Sequence, residues 1–222
     1  MTGEQRAPSD EPRVPRWAAG VCEGVYAAGV RDVVYVPDNP LSHVLREFAR
    51  YADVRLLLAT REEEAFGIAA GLYLGGKLPA VMLQSSGLGN SLNALTSLLL
   101  PYQVPVLMVI SMRGDLGEWN AAQVPMGRAV RSILESIDIP HVTAESAEAV
   151  AETVRLTGTT AFGTRRPGAC LLPRRLTTAG HGSDTVSDPV SDTGSDTVSD
   201  PVSDRASDPV SDPVSDTSKE VR

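Results

Sequence analysis

Six short apolar runs constrain what this chain can fold into: Val33–Val36, Val54–Leu58, Ala80–Leu83, Val104–Ile110, Pro140–Thr143 and Ala169–Leu172. Most are apolar at consecutive positions. Successive side chains of a strand point to opposite faces, so such a run must be covered on both. The intervening segments carry apolar residues at helical spacing. Trp17, Ala18, Val21, Cys22 and Val25 form one stripe ending near Gly29, and Leu41, Val44, Leu45, Phe48 and Ala49 a second. Ala65, Phe66, Ala69, Leu72 and Tyr73 form a third, closed by Gly75 and Gly76. Leu92–Leu99, Met126–Ile137 and Ala147–Val154 supply three more. Strand alternating with helix predicts an α/β three-layer sandwich with a six-stranded, mostly parallel sheet and helices on both faces.

The rest of the chain is organised differently. From Ser183 to Asp216 the pair Ser-Asp recurs every four residues, nine times, with prolines at 189, 201, 209 and 213. Valine is its one sizeable apolar residue, too little to offset the entropy of ordering. Residues 179–222 are therefore expected to be a disordered acidic tail, residues 1–14 a disordered N-terminus, and residues 15–178 the domain. Ser183–Arg222 holds ten of the 28 acidic and three of the 20 basic residues, so all but one unit of the net charge of −8 belongs to the tail. Without clustered Lys and Arg, nucleic acid is not an expected partner. Met1–Arg16 has no apolar core for a signal peptide, and no apolar run is long enough to span a membrane. Cys22 and Cys170 each sit in an apolar stretch and read as buried free thiols, which fits a cytoplasmic protein.

In a parallel α/β sheet, ligands gather beyond the carboxyl ends of the strands. After the first run come Pro37-Asp38-Asn39-Pro40, where Asp38 or Asn39 could cap the next helix. After the second come Glu62, Glu63 and Glu64, all favoured by a helix dipole. The small residues that follow, through Gly71, suggest a helix packed closely on the sheet or on another subunit. After the third comes Gln84-Ser85-Ser86-Gly87-Leu88-Gly89-Asn90, read as a strand-to-helix turn; Leu92 stands where a dinucleotide fingerprint needs its third glycine. His43, His141 and His181 have no spacing partners for metal or nucleophile chemistry, so no metal ligands are expected in this chain.

Taken together, Arg61-Glu62 with Gly71 nine residues on, Val81–Asn90, and Arg166-Pro167-Gly168-Ala169-Cys170-Leu171-Leu172-Pro173 resemble the pyrimidine-binding domain of thiamine-diphosphate enzymes. Val36-Pro37-Asp38, Ser86–Asn90 and Gln123-Val124-Pro125-Met126-Gly127 bring it nearest to phosphonopyruvate decarboxylase and sulfopyruvate decarboxylase alpha subunits. The resemblance implies that Glu62 hydrogen-bonds N1′ of the aminopyrimidine and so drives loss of the thiazolium C2 proton. It implies that Gln84, Ser85, Ser86 and Gly87 line the pyrimidine, and that Asp38 faces substrate and handles the proton that releases the aldehyde. Gln123 is a candidate for the same cleft, and Arg61, Arg113 and Arg128 are candidate anion contacts. The family's Gly-Asp-Gly is absent, Arg113-Gly114-Asp115-Leu116 breaking it. A separate beta subunit is therefore expected to hold Mg2+ and the diphosphate in an α2β2 or larger assembly. The substrate would be 3-sulfopyruvate, 3-phosphonopyruvate or another 2-oxo acid. A non-catalytic scaffold subunit with this domain and a flavodoxin-like binding module are the competing readings.

Overall fold

The computed structural model describes residues 14–178; the expectations for the N-terminus and for the Ser-Asp tail lie outside them. The elements run α1 (Arg16–Ala27), β1 (Asp32–Tyr35), α2 (Leu41–Phe48), β2 (Arg55–Leu58), α3 (Glu62–Leu74), β3 (Pro79–Gln84) and α4 (Ser85–Asn90). They continue with α5 (Leu92–Ala94) and a π turn (Leu95–Leu99), β4 (Leu107–Ser111), a 3-10 turn (Ala121–Gln123) and α6 (Val124–Ser136). β5 (His141–Thr143), α7 (Val150–Thr164), β6 (Gly168–Leu172) and α8 (Arg174–Thr177) complete the order.

The six strands form one sheet in the order β2-β1-β3-β4-β6-β5, and every pairing is parallel. The alternation of side chains along each strand divides the core into two layers. Val34, Val81, Leu83, Met108, Ile110 and Leu171 meet Phe66 of α3, Leu88 of α4, Leu95 of the π turn, and Val130 and Leu134 of α6. Their neighbours Val33, Met82, Leu107, Val109, Cys170 and Leu172 meet Trp17 of α1, Phe48 of α2 and Val154 of α7. Strands β1, β3, β4 and β6 are thus covered on both faces, as their composition demands, whereas the edge strands β2 and β5 leave Leu56, Leu58 and Val142 exposed. Both cysteines are buried and free, and burial pushes the Cys170 thiol up to about 12. Among the described residues no helix is long and apolar enough to cross a membrane.

The order of strands matters for function. From β1 the chain steps through α2 to β2 at the sheet edge, then returns through α3 past β1 to β3. Helices α2 and α3 therefore lie on opposite faces, and the chain reverses direction between β1 and β3. Such a reversal opens a crevice at the carboxyl ends of the two strands.

The structure departs from the sequence expectations in three places. Residues Ser85–Asn90 are not a turn but helix α4, which begins directly after β3 without a connecting loop. β4 starts at Leu107 rather than Val104: Pro105 has no N–H for the ladder, and the Val104 N–H instead closes the π turn on the Leu99 carbonyl. Helix α7 runs to Thr164, ten residues past the apolar stripe. Its threonines satisfy their hydroxyls on the carbonyl four residues back, Thr157 on Thr153 and Thr164 on Thr160, which lets poor helix formers continue the helix.

Helix α1 packs on α7 through Gly20 and Gly24. A Cβ at Gly24 would overlap the Ala151 carbonyl oxygen and stand 2.7 Å from Val154 Cβ. Gly24→Ala should lower stability by about 1–3 kcal/mol through overpacking, read as a lower urea midpoint with an unchanged slope.

Candidate functional site

The strand ends flanking the reversal carry a connected polar group. Asp38, three residues past β1, turns its carboxylate inward across the sheet. Gln84 Nε2 donates to Asp38 Oδ1 at 2.9 Å, and Ser111 Oγ donates to Asp38 Oδ2 at 2.6 Å. The Gln84 amide is fixed in turn, since its Oε1 accepts from Ser86 Oγ at 2.5 Å. Asp38, Gln84 and Ser111 thus come from the carboxyl ends of three neighbouring strands, β1, β3 and β4. The side chain of Asp38 does not cap α2, whose N-terminus has no side-chain cap.

The three glutamates opening α3 separate by what they touch. Glu64 Oε2 accepts from the Thr60 N–H at 2.8 Å and from Thr60 Oγ1 at 2.6 Å, closing the helix start and lowering the pKa of this carboxyl. Glu63 pairs with Arg61 at 3.0 Å. Glu62 alone leans toward the crevice. Its side chain lies against Gly87, so closely that a Cβ there would overlap Glu62 Cγ and the carboxyl group. Asn90 Nδ2 donates to Glu62 Oε2 at 3.5 Å. A glycine inside a helix costs about 1 kcal/mol relative to alanine; at position 87 the absent side chain makes room for this carboxylate. At Gly71, nine residues after Glu62, a Cβ would meet nothing within 4 Å among the described residues.

The other expected residues fall as follows. Ser86 is half-buried and belongs to the Asp38 group. Ser85 is 0% exposed, and its Oγ accepts from the Arg113 N–H at 3.1 Å. Its side chain ties α4 to the loop after β4, which leaves its backbone for the expected contact with the ring. Gln123 ends the 3-10 turn before α6; among the described residues its side chain makes no hydrogen bond to the Asp38 group. Ser111 was missed by sequence reasoning. The available signal was a lone hydroxyl closing an otherwise apolar strand.

A second missed feature is the ion cluster on the loop after β4. Arg113 Nε and Nη2 donate to the two oxygens of Glu118 at 2.7 and 3.1 Å, and Arg174 Nη1 lies 3.6 Å from the same carboxylate. The Arg113 hydrogen bonds, with backbone N–H groups of Asn120 and Gly114, hold the Glu118 carboxyl near 2. The loop passes close over α6, and Gly127 has no Cβ because the Arg113 carbonyl occupies that space. An apolar groove of about 460 Å³ lies on the far sheet edge, between β5, α7 and the start of β6, and shares no residue with these groups. Among the described residues no group of three His, Cys, Asp or Glu could hold a metal ion.

What the arrangement can do chemically is bounded by these groups. One carboxylate sits over a bare helix surface at the mouth of α3. A second is fixed by an amide and a hydroxyl across the reversal. The pair suits proton exchange with a flat heteroaromatic ring and with a small substrate beside it.

Comparison with known proteins agrees. The family described as thiamine pyrophosphate enzyme, N-terminal TPP binding domain, matches residues 16–123. The sulfopyruvate decarboxylase subunit alpha of Methanococcus maripaludis is 38% identical over 68% of this chain and 92% of its own. That of Methanothermobacter thermautotrophicus is 44% identical over 59% of this chain and 84% of its own. Phosphonopyruvate decarboxylase of Streptomyces viridochromogenes is 37% identical over 58% of this chain but 34% of its own length. In fold, the chain is similar to a 2-oxoglutarate:ferredoxin oxidoreductase from Magnetococcus marinus, with a TM-score of 0.60 and 16% identity over 75% of this chain and 31% of that one.

Two outcomes are expected. Gly87→Ala should displace Glu62 and lower whatever activity depends on it, roughly tenfold or more, while the folded state persists by circular dichroism. Glu118, whose carboxyl is depressed from the ordinary 4.5 to about 2, contributes stability that is present above pH 4.5 and lost as pH falls toward 2. Denaturant midpoints measured between those limits should fall less steeply in Glu118→Gln than in the wild type.

Proposed function

Because this chain belongs to the thiamine pyrophosphate enzymes, carrying their N-terminal TPP binding domain, we propose that it is the pyrimidine-binding subunit of a two-chain decarboxylase of anionic 2-oxo acids. The observation that carries this reading is Glu62 lying over Gly87 at the start of α3, in a crevice whose other wall holds Asp38. The names of the relatives support 3-sulfopyruvate or 3-phosphonopyruvate as substrate, with carbon dioxide and the aldehyde as products.

The chemistry of the residues present supports the cofactor reading: Gly87 has no side chain to displace the Glu62 carboxylate lying against it, and Asn90 donates to that carboxylate from α4. Thiamine diphosphate, when bound, supplies the electron sink that a 2-oxo acid needs to lose its carboxyl group. Glu62 would exchange a proton with the pyrimidine ring nitrogen, and Gln84, Ser86 and Gly87 would line the ring. Asp38, held by Gln84 and Ser111 so that both oxygens are directed, would deliver the proton that completes the aldehyde.

A partner subunit completes the enzyme in this reading. The chain matches relatives named subunit alpha over most of their length, and its sequence has no Gly-Asp-Gly for a diphosphate-bound metal. The beta chain would hold Mg2+ and the diphosphate. The outer face of α3, with Gly67 and Gly71 open and Leu74 81% exposed, continues to the exposed Leu56 and Leu58 of edge strand β2 and suits a subunit contact. An α2β2 or larger cytoplasmic assembly follows.

The test is to co-purify the chain with a diphosphate-binding partner, add thiamine diphosphate and Mg2+, and assay carbon dioxide release from 3-sulfopyruvate, 3-phosphonopyruvate and pyruvate. Release from at least one is expected, with Glu62→Gln slower by about 100-fold or more. No release from any of them would favour the scaffold reading; full rate in Glu62→Gln would remove Glu62 from the chemistry.

A further inference from the structure

Two guanidinium groups converge on one carboxylate beside Asp38. Arg113 and Arg174 are 17% and 21% exposed, and Glu118 between them is 1% exposed. Taken alone, the cluster carries one surplus positive charge in largely covered surroundings. Asp115 pairs with Arg131, and Asp38, held by Gln84 and Ser111, forms no ion pair with either arginine among the described residues and acts on Arg113 only through space. Donors remain unspent as well. Arg113 uses Nε and Nη2 on Glu118 and Arg174 uses Nε on the Gly117 carbonyl, while Arg113 Nη1 makes no hydrogen bond among the described residues.

The position is set from two sides. Arg113 follows two residues after Ser111, which holds Asp38, and its own N–H is tied to Ser85 at the start of α4. The charge of Asp38 acts on the Arg113 guanidinium, which places the two in one electrostatic field. Of the other candidate arginines, Arg61 is spent on Glu63 with its side chain 65% exposed, and Arg128 is exposed on α6.

We propose that Arg113, oriented by Glu118 and backed by Arg174, is the contact for the tetrahedral anion that the substrate carries on C3. This rests on the decarboxylase reading and deepens it. A 2-oxo acid with its reacting carbon C2 near Asp38 has the sulfur or phosphorus on C3 two bonds further out. A sulfonate or phosphonate there presents oxygens that a guanidinium engages with paired N–H donors. Glu118 consumes one edge of Arg113 and leaves the other, so the planar group is aimed rather than free to turn. The same arrangement discriminates against pyruvate, whose C3 methyl offers the cluster nothing and leaves its surplus charge unpaired.

The test uses the assembled pair with its cofactor and two sets of substitutions. Arg113→Gln with Glu118→Gln keeps a neutral pair of hydrogen-bonding side chains and leaves the partly exposed Arg174 on the Gly117 carbonyl; Arg174→Gln leaves Arg113 on Glu118. Two quantities are read: kcat/KM for 3-sulfopyruvate relative to pyruvate, and calorimetric affinity for sulfoacetate with acetate as control. The double variant should lose about tenfold or more in both, and Arg174→Gln roughly threefold, the scale of lost hydrogen bonds to a charged group. A clamp that merely holds the loop would lower the melting temperature of both variants and leave the ratio and the sulfoacetate affinity in place, which would overturn the proposal. Wild-type complex that fails to prefer sulfoacetate over acetate would also overturn it. If the complex binds sulfoacetate through these residues yet releases no carbon dioxide, the anion site stands and the decarboxylase reading falls. If it decarboxylates and the variants keep their preference, only the anion site is lost.

Discussion

Strands β1, β3, β4 and β6 are buried on both faces, and a chain that buries strands this way must pass helices over both sides of the sheet. Right-handed crossovers achieve that only if the chain changes direction across the sheet, and here it does so between β1 and β3 and again where β6 returns between β4 and β5. Everything proposed for this protein is arranged at the first of these reversals. Asp38 leaves β1 on one side of it, and Gln84 ends β3 on the other. Glu62 opens the helix that crosses between the two halves. The polar residues cluster because a close-packed sheet interior admits them only at its ends, where backbone and water can satisfy them.

Within that frame, short side chains decide what stands next to what. Gly87 gives its space to Glu62, Gly127 gives its space to the Arg113 carbonyl, and Ser111 is small enough to end a buried strand and still reach Asp38. These positions connect the two carboxylates to helix α4, which follows β3 directly, and to the loop after β4. The ion cluster of Arg113, Glu118 and Arg174 then fixes that loop on the sheet, with a carboxyl depressed far enough to stay ionised through the neutral range. Charge is buried here at a cost, and pairing offsets it only while every partner stays in place.

The resemblance read from motifs and the family shown by comparison agree, and they agree for a physical reason. Motifs such as Ser86-Gly87-Leu88-Gly89-Asn90 record close approaches: each small residue marks a place where something else must fit. The nine-residue spacing from Glu62 to Gly71 works as a sequence marker although a side chain at Gly71 would meet nothing among the described residues. Leu74, Leu56 and Leu58 are likewise exposed among the described residues.

The sandwich, the parallel sheet and the location of the site at the strand ends were legible in the sequence. Apolar periodicity encodes which faces are buried, and burial on both faces leaves few topologies. The resemblance, and not periodicity, is what singled out Glu62 among three adjacent glutamates for the role proposed here. Periodicity could not distinguish those three, because all suit the first turn of a helix; their partners Thr60, Arg61 and Gly87 became decisive only when α4 was laid beside α3. The sequence likewise could not say that Ser85 faces inward, that Ser111 holds Asp38, or that Arg113 and Arg174 share Glu118. Those residues lie 28, 73 and 57 positions from what they touch at Arg113, Asp38 and the Gly117–Arg174 contact. Contacts at such separation depend on strand order and helix placement, which a one-dimensional pattern constrains but does not contain.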